Sequence, residues 1–206
     1  MILMPGRPYK RAFDVAVAAV GIVVSSPVIA IAAVLIKLED GGPIFFRQTR
    51  VGQGGQPFKI LKLRTMVVTP RTCGALITVG GDRRITQIGR FLRKIKFDEL
   101  PQFFNVLTGD MSVVGPRPEV PTYVALYTRE QRKVLEYRPG ITDIASLEFI
   151  NEEEILKAAA DPERCYLEQC MPRKIELNLR YAEQATFWTD LIVVWRTAAA
   201  LGRANR

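Results

Sequence analysis

The sequence contains no histidine, and this absence excludes several catalytic designs at once. Without an imidazole the chain cannot build a Ser-His-Asp triad, a Cys-His pair or a zinc site with histidine ligands. Cysteine is also scarce: Cys73, Cys165 and Cys170 form no CxxC pair and leave one thiol over. An odd, scattered set is typical of reduced thiols in a cytosolic environment, and no imidazole is present to activate one as a nucleophile.

Positive charge, by contrast, is in excess. The 206 residues carry a formal net charge of +8. A net positive charge of this size implies an anionic partner. Nucleic acid, lipid headgroups and phosphorylated substrates are the three alternatives. The length suits one domain with a hydrophobic core and hardly two.

Residues 15–36 form an uncharged apolar run near the start of the chain. As a straight helix this run would extend roughly 33 Å, enough to cross the hydrocarbon core of a bilayer. It is too long for the apolar region of a typical signal peptide, so we expect it to remain part of the protein. The sequence therefore predicts a membrane segment.

Ser26 and Pro27 interrupt this run at its centre. Proline removes a helical hydrogen bond and clashes with the preceding turn, while serine hydroxyls can take up the freed carbonyls inside a membrane. Positive residues flank the run on both sides: Arg7, Lys10 and Arg11 before it, and Lys37, Arg47 and Arg50 after it. Because positive residues favour the cytoplasmic side, a re-entrant hairpin kinked at Ser26 and Pro27 is favoured over a straight span.

The rest of the sequence predicts an α+β fold that is mostly helical, with a short β-hairpin. Apolar and basic residues alternate over 58–66, which predicts a strand with one cationic face, and a preceding strand is expected at 44–48. The glycine-rich connection at 52–57 is a weak match to a phosphate-binding loop and is better interpreted as the hairpin turn. Residues 67–81 are expected to form a loop.

Helical periodicity is clear at 85–94, and further helices are predicted at 119–137, 152–160, 163–183 and 186–201. Trp188 and Trp195 in the last of these suit a helix at a membrane interface, although burial against the domain explains them equally well. The predicted organisation is a re-entrant membrane-associated hairpin over 1–38, followed over 39–206 by a small globular domain with interfacial amphipathic helices, including the C-terminal one.

The candidate site is the pair Asp98 and Glu99, between a basic run and a proline-rich loop. Pro101 fits the first turn of a helix, so Asp98 is interpreted as an N-cap and 99–107 as a short helix. Helix N-termini attract anions, and the neighbouring cations are expected to keep Asp98 ionised. An ordinary capped helix with a solvated charge cluster is the competing interpretation of this stretch alone.

Six ordered blocks at compatible spacing resemble the bacterial sugar transferases known as monotopic polyprenyl-phosphate phosphoglycosyl transferases. The resemblance extends up to Thr142 and includes the apolar segment broken at Ser26 and Pro27. The blocks lie at residues 42–48, 58–66, 82–86, 89–93, 98–102 with 105–107, and 109–118. The length of the chain is that expected of a small, minimal catalytic unit without the extra membrane helices of larger members.

The resemblance implies a two-step transfer on the cytoplasmic face of the bacterial inner membrane, the first membrane step of a surface glycoconjugate pathway. Asp98 matches the family's nucleophile, which would attack the β-phosphate of a UDP-sugar, release UMP and hold the phosphosugar covalently. Glu99 matches its partner, expected to help deprotonate the acceptor, undecaprenyl phosphate or a similar polyprenyl phosphate. The expected product is a polyprenyl diphosphate sugar.

The resemblance also implies a cofactor and a set of cations. Mg²⁺ is the family's cofactor and Asp98 its expected protein contact, in keeping with the preference of Mg²⁺ for carboxylates and substrate phosphates. Membrane lipids are expected partners, a homodimer is possible and nucleic acid is not expected. Residues predicted to bind substrate phosphates are Arg93 and Arg117, which match family positions, together with Lys62, Arg64 and Arg90.

Three departures from the family pattern stand out. Lys96 and Phe97 precede Asp98 where Ser-Leu is more common, and Leu63 replaces a usual aromatic residue. Residues 143–148 differ from the Gly-Trp-Ala-Gln-Val sequence that commonly follows Thr142 in the family. Because this last region is a candidate for sugar selection, the identity of the sugar stays open.

Two other classes of function compete with a transferase. A membrane-anchored binding module would use the basic face on anionic lipid or on a protein, and Asp98→Asn would then leave turnover unaffected. A nucleic-acid binder would place its cations along a groove with stacking aromatics, and it would have no use for the long apolar run. A straight-spanning anchor with the same chemistry differs only in topology.

Overall fold

The computed structural model describes residues 8–67 and 81–204, so nearly all of the loop predicted at 67–81 lies outside the described residues. The described chain is mostly helical with two small sheets. The helices are α1 Pro8–Asp40, α2 Gln87–Lys94, α3 Gln102–Thr108, α4 Pro121–Val124, α5 Ile144–Glu148, α6 Glu152–Ala158, α7 Pro162–Cys165, α8 Met171–Gln184 and α9 Phe187–Ala204. The strands are β1 Phe45–Val51, β2 Pro57–Leu63, β3 Ser112–Val114 and β4 Gly140–Thr142.

Helix α1 contains the predicted membrane segment and is long and apolar enough to cross a membrane. It is assigned as a single helix, with Pro27 inside it, instead of two half-helices. The Ser26 hydroxyl donates to the carbonyl of Val23 over 2.9 Å, as expected for a serine beside a helix proline. Large apolar side chains in the middle of α1 are exposed, including Val23 and Val24 at 72% and 71%.

Both ends of α1 are held by the rest of the chain. Near its start, the buried carboxylate of Asp14 accepts hydrogen bonds from the Ser112 hydroxyl (3.0 Å) and from the Val113 N–H (2.9 Å). Near its end, the Glu39 carboxylate accepts from the N–H groups of Gln87 and Ile88 (2.8 and 3.2 Å), the first residues of α2. The apolar helix is thus attached at two points to the same globular unit.

The predicted β-hairpin is confirmed, with shifted boundaries. Strands β1 and β2 pair antiparallel from Phe45 opposite Leu63 to Val51 opposite Pro57, around a turn in which Gly54 has a positive φ. The single cationic face predicted for the second strand is wrong. Lys59 and Lys62 are an odd number of residues apart, so a strand directs them to opposite faces. Lys59 binds the Thr49 hydroxyl, whereas Lys62 binds Glu99.

A parallel pair, β3 with β4, was not predicted from the sequence. Ser112 lies opposite Gly140 and Val114 opposite Thr142. The two segments approach so closely that a Cβ atom at Gly140 would lie 2.1 Å from the N atom of Gly115, which follows β3. Three-residue strands have too few positions for an alternating pattern, and only the two glycines hint at the contact.

Three apolar clusters support this arrangement. One joins α1, β2, α3, β3 and α9 around Ala18, Val106 and Met111. A second packs the end of α1 on β2 and α2, through Ile36, Leu63 and Leu92. The third joins α4 to the later helices. Helix α1 therefore contributes to two of the three clusters.

The later helices agree only partly with the prediction. The segment 119–137 contains the short α4 and a 3₁₀ helix at Gln131–Glu136, and 163–183 contains α7, a π-helical turn at Tyr166–Cys170 and α8. The final helix is confirmed as α9, where Trp188 and Trp195 are 72% and 69% exposed.

Candidate active site

Asp98 and Glu99 lie in a 3₁₀ turn, Phe97–Glu99, between α2 and α3. Lys96 precedes the turn in a left-handed conformation (φ 58°, ψ 21°), which ends α2 and redirects the chain. This backbone conformation is unfavourable for residues other than glycine. Residues other than glycine that adopt it are often found at functional sites. The predicted N-cap role of Asp98 is wrong: α3 begins at Gln102 with Pro101 before it, and Asp98 makes no capping hydrogen bond.

Glu99 is bound by two cations from distant parts of the chain. Its carboxylate accepts from Lys62 Nζ at 2.8 Å and from Arg117 Nη2 and Nη1 at 2.5 and 3.2 Å. The positive charges of Arg117 and Lys62 hold the pKa of Glu99 well below its usual range, although burial acts in the opposite direction. A carboxylate held in this way is a weak base, so its most direct effect is to fix Lys62 and Arg117 in place.

Asp98 has a different environment. It is buried, and its Oδ1 atom has no hydrogen-bond partner among the residues that the structure describes. Burial, with the adjacent charge of Glu99, raises the pKa of Asp98, while Lys62, Arg93 and Lys96 act in the opposite direction. Removal of Asp98 from water therefore outweighs the neighbouring cations in the direction of this pKa shift, and the prediction that Asp98 is ionised at neutral pH stays a prediction.

Of the other residues predicted to bind substrate phosphates, Arg93 lies near the acidic pair, whereas Arg64 and Arg90 have other environments. Arg93 lies near Asp98 and forms an ion pair with Glu153 of α6. Arg64 pairs with Asp40 at the end of α1, with Nη1 2.6 Å from Oδ2, so its guanidinium holds the membrane helix to β2. Arg90 is exposed on α2. The structure therefore brings Lys62, Arg93 and Arg117 to the acidic pair, whereas Arg64 binds elsewhere.

Hydrogen bonds from Arg50 and Tyr166 stabilise the loop that carries Arg117. Arg50 donates to the carbonyl of Pro118 and to the carboxylate of Glu119, both at 3.1 Å. Tyr166 donates to the other oxygen of Glu119. Asp143, buried at the start of α5, also acts electrostatically on Arg117. Sequence reasoning did not assign these roles, because residues far apart in sequence make the contacts.

Gln102 follows the acidic pair on the first turn of α3 and is completely buried. Within the described part of the chain, neither its Nε2 nor its Oε1 atom has a hydrogen-bond partner. A buried amide with both polar atoms unpaired is costly and rare in proteins. The site therefore contains two buried polar atoms without partners in the described ranges, in addition to Asp98 Oδ1.

The site suits Mg²⁺ only when a substrate supplies further ligands. Among residues 8–67 and 81–204 there is no group of three or more potential metal-ligating carboxylates or thiols. Asp98 offers a carboxylate whose Oδ1 atom has no hydrogen-bond partner among the described residues, whereas Glu99 is already bound by Lys62 and Arg117. One carboxylate with diphosphate oxygens and water is a normal environment for Mg²⁺.

Comparison with known proteins identifies the family. A family model described as bacterial sugar transferase matches residues 6–204. The chain is 39% identical to UDP-N-acetylgalactosamine-undecaprenyl-phosphate N-acetylgalactosaminephosphotransferase of Aeromonas hydrophila, over 95% of this chain and 44% of that protein. It is 37% identical to UDP-glucose:undecaprenyl-phosphate glucose-1-phosphate transferase of Caulobacter vibrioides, over 98% of this chain and 75% of that protein.

A third relative, UDP-glucose:undecaprenyl-phosphate glucose-1-phosphate transferase of Escherichia coli, is 35% identical over 93% of this chain and 39% of its own length. The chain thus spans less than half of the Aeromonas and Escherichia proteins and three quarters of the Caulobacter one. The family match covers the membrane helix, the hairpin, the acidic pair and the later helices alike. This chain belongs to the bacterial sugar transferase family.

Proposed function

We propose that the protein transfers a sugar 1-phosphate from a UDP-sugar to undecaprenyl phosphate, releasing UMP and forming an undecaprenyl diphosphate sugar. The observation that carries the proposal is Asp98, a buried carboxylate without a partner at Oδ1, set among Lys62, Arg93 and Lys96. The names of the three relatives support the donor and acceptor classes. The reaction is the first membrane step in the assembly of a surface glycan.

The reaction proceeds through a covalent intermediate on Asp98. An oxygen of the Asp98 carboxylate bonds to the β-phosphorus of the donor, the bond from that phosphorus to the bridging oxygen breaks, and UMP leaves with the bonding electron pair. A phosphate oxygen of the lipid acceptor then bonds to the same phosphorus. The bond to Asp98 breaks in this second step, and the carboxylate is restored.

The cations around Asp98 stabilise the negative charge that develops during this transfer. Phosphoryl transfer depends mainly on positioning and on cations near the charge that develops on the phosphoryl oxygens. Lys62 and Arg117, fixed by Glu99, together with Arg93, supply that charge. Asp98, together with substrate phosphate oxygens, would hold Mg²⁺, and the ion would supply further positive charge near the leaving group.

We also propose that the protein is monotopic on the cytoplasmic face of the inner membrane, with α1 entering and leaving on the same side. The support is the attachment of both ends of α1 to one globular unit, through Asp14 at the start and Glu39 at the end. A helix that crosses a bilayer has its ends on opposite faces. The exposed apolar surface between the ends, at Val23 and Val24, suits contact with lipid.

A two-stage assay tests the proposed reaction. Purified protein, Mg²⁺ and a panel of UDP-sugars are first incubated without lipid, and UMP release and intact mass are followed. We expect one phosphosugar to be added to the wild type and none to Asp98→Asn, with undecaprenyl phosphate discharging the adduct. UMP release that requires both substrates together, without an adduct, would contradict the covalent mechanism. Equal turnover by Asp98→Asn would contradict the catalytic assignment altogether.

A further inference from the structure

We propose that Gln102 is a positioning residue for Asp98: its side-chain N–H binds Asp98 Oδ1 when the donor is bound and fixes the plane of the attacking carboxylate. This inference rests on the proposed function. It adds a role for a residue outside the acidic pair and the surrounding cations.

The first support is the burial of Gln102 without any partner. The residue is 0% exposed, and both polar atoms of its amide are unpaired. An apolar side chain of similar size would fill the same space without that cost, so packing alone does not explain an amide here. Groups that lower stability in this way are found at functional sites.

The second support is the geometry of the chain between the two residues. Leu100 (φ −52°, ψ −37°) and Pro101 (φ −63°, ψ −13°) both have right-handed helical backbone angles, and they connect the turn of Asp98 to α3. Along such a path, residues four apart lie on the same side. The backbone between them therefore favours Asp98 and Gln102 on the same side of the chain.

The third support is chemical complementarity. Asp98 Oδ1 can only accept when ionised, and Gln102 Nε2 can only donate, so each matches the unpaired group of the other. The two are not hydrogen-bonded to each other in this structure, and we infer that the contact forms as the donor orders the turn. With Oδ1 held from the protein side, the other oxygen is directed to the β-phosphorus.

Such a contact affects the rate of attack more than the affinity for the donor. A carboxylate free to rotate samples many orientations, and loss of orientation lowers the rate constant of the covalent step. We therefore expect Gln102→Met, which keeps the size of the side chain, to slow adduct formation by about 10- to 100-fold. The donor dissociation constant and the Mg²⁺ concentration for half-maximal rate should change less than about twofold.

The stability of Gln102→Met separates a positioning role from a merely structural one. Removal of an unpaired buried amide should raise the melting temperature, by about 2 to 4 °C for a chain of this size. Gln169→Met makes the same change at an exposed glutamine of the π-helical turn and should alter neither property. A fall in both activity and melting temperature would indicate a structural role and overturn the inference.

Donor binding to Asp98→Asn, with and without Gln102→Met, completes the test. Equal affinities mean that Gln102 acts through Asp98, whereas a further loss of affinity would make Gln102 a direct substrate contact and contradict the proposal. Unchanged adduct formation by Gln102→Met in an active protein would contradict it as well. A wild type that forms no adduct with any donor would instead contradict the proposed covalent mechanism, which separates the two failures.

Discussion

Glu99 is the member of the acidic pair whose carboxylate is bound by two cations. It lies between Lys62 and Arg117, which come from β2 and from the loop after β3. In its absence two cations would face each other at close range. The depressed pKa of Glu99 reflects this double pairing and explains why two adjacent carboxylates can have opposite properties, one held ionised and the other with a raised pKa.

Glu99→Gln should therefore impair the first half-reaction as well as the second. With the charge removed, Lys62 and Arg117 lose their common partner, and we expect adduct formation to slow on the order of 100-fold. Unfolding should become easier by about 1 to 3 kcal/mol, less than for a fully buried ion pair because the side chain of Arg117 is 35% exposed. Intact mass at short times and thermal melting measure the two effects.

Glu153→Gln is the matched control for this change. It removes the carboxylate that pairs with Arg93, but the side chain of Glu153 is 46% exposed. A partly exposed pair contributes little to stability, so the melting temperature should change only slightly. Normal adduct formation by Glu99→Gln, with loss only of transfer to the lipid, would show instead that Glu99 is the base predicted from the sequence.

At the scale of elements, the position of α2 depends on a close contact with the chain after β2. A Cβ atom at Gly89 would lie 2.1 Å from the carbonyl oxygen of Thr65, and that same carbonyl accepts the N–H of Thr86 over 3.1 Å. Thr86 also caps α2 through its hydroxyl. Since α2 carries Arg93, this contact positions a phosphate-binding candidate as well as a helix.

Gly89→Ala should destabilise the protein although alanine favours helices. The helix propensity gain of at most about 1 kcal/mol is opposed by a backbone clash that requires α2 to move. Gly202→Ala in α9 provides the control, because a Cβ atom there meets nothing within 4 Å and should be neutral or stabilising. Equal melting temperatures for the two variants would contradict the close packing of α2.

At the scale of the whole molecule, the attachment of both ends of α1 to one globular unit is the basis for predicting the proposed monotopic topology. Tyr9 and Leu38 lie near the two ends, and both are exposed, at 47% and 77%. In a background without the three native cysteines, Tyr9→Cys and Leu38→Cys should both react with a membrane-impermeant maleimide only in inverted membrane vesicles. Reaction of one site in intact cells and of the other in inverted vesicles would establish a straight span.

The sequence identified the parts of the site that are close together along the chain. The acidic pair, the hairpin and the apolar helix follow from composition and periodicity, which are local signals. The partner of Arg64 could not be predicted, because Asp40 lies on the far side of the hairpin and any of several cations could have met it. The start predicted for α3 is too early in the sequence, because Asp98 and Pro101 both fit positions at the start of a helix. Tertiary contacts determine which of the two lies next to the first helical residue.

The buried carboxylate of Asp14 has a wider consequence. By accepting the N–H of Val113, it ties the apolar helix to the segment that leads to the Arg117 loop, while Ala18 of the same helix lies in a core beneath α3. In the proposed topology, the boundary between lipid and water therefore runs through a single folding unit and not between an anchor and a separate enzyme. The same topology makes the bilayer the solvent for one face of the fold, and lipid composition then becomes a variable that acts on the shape of the proposed catalytic site.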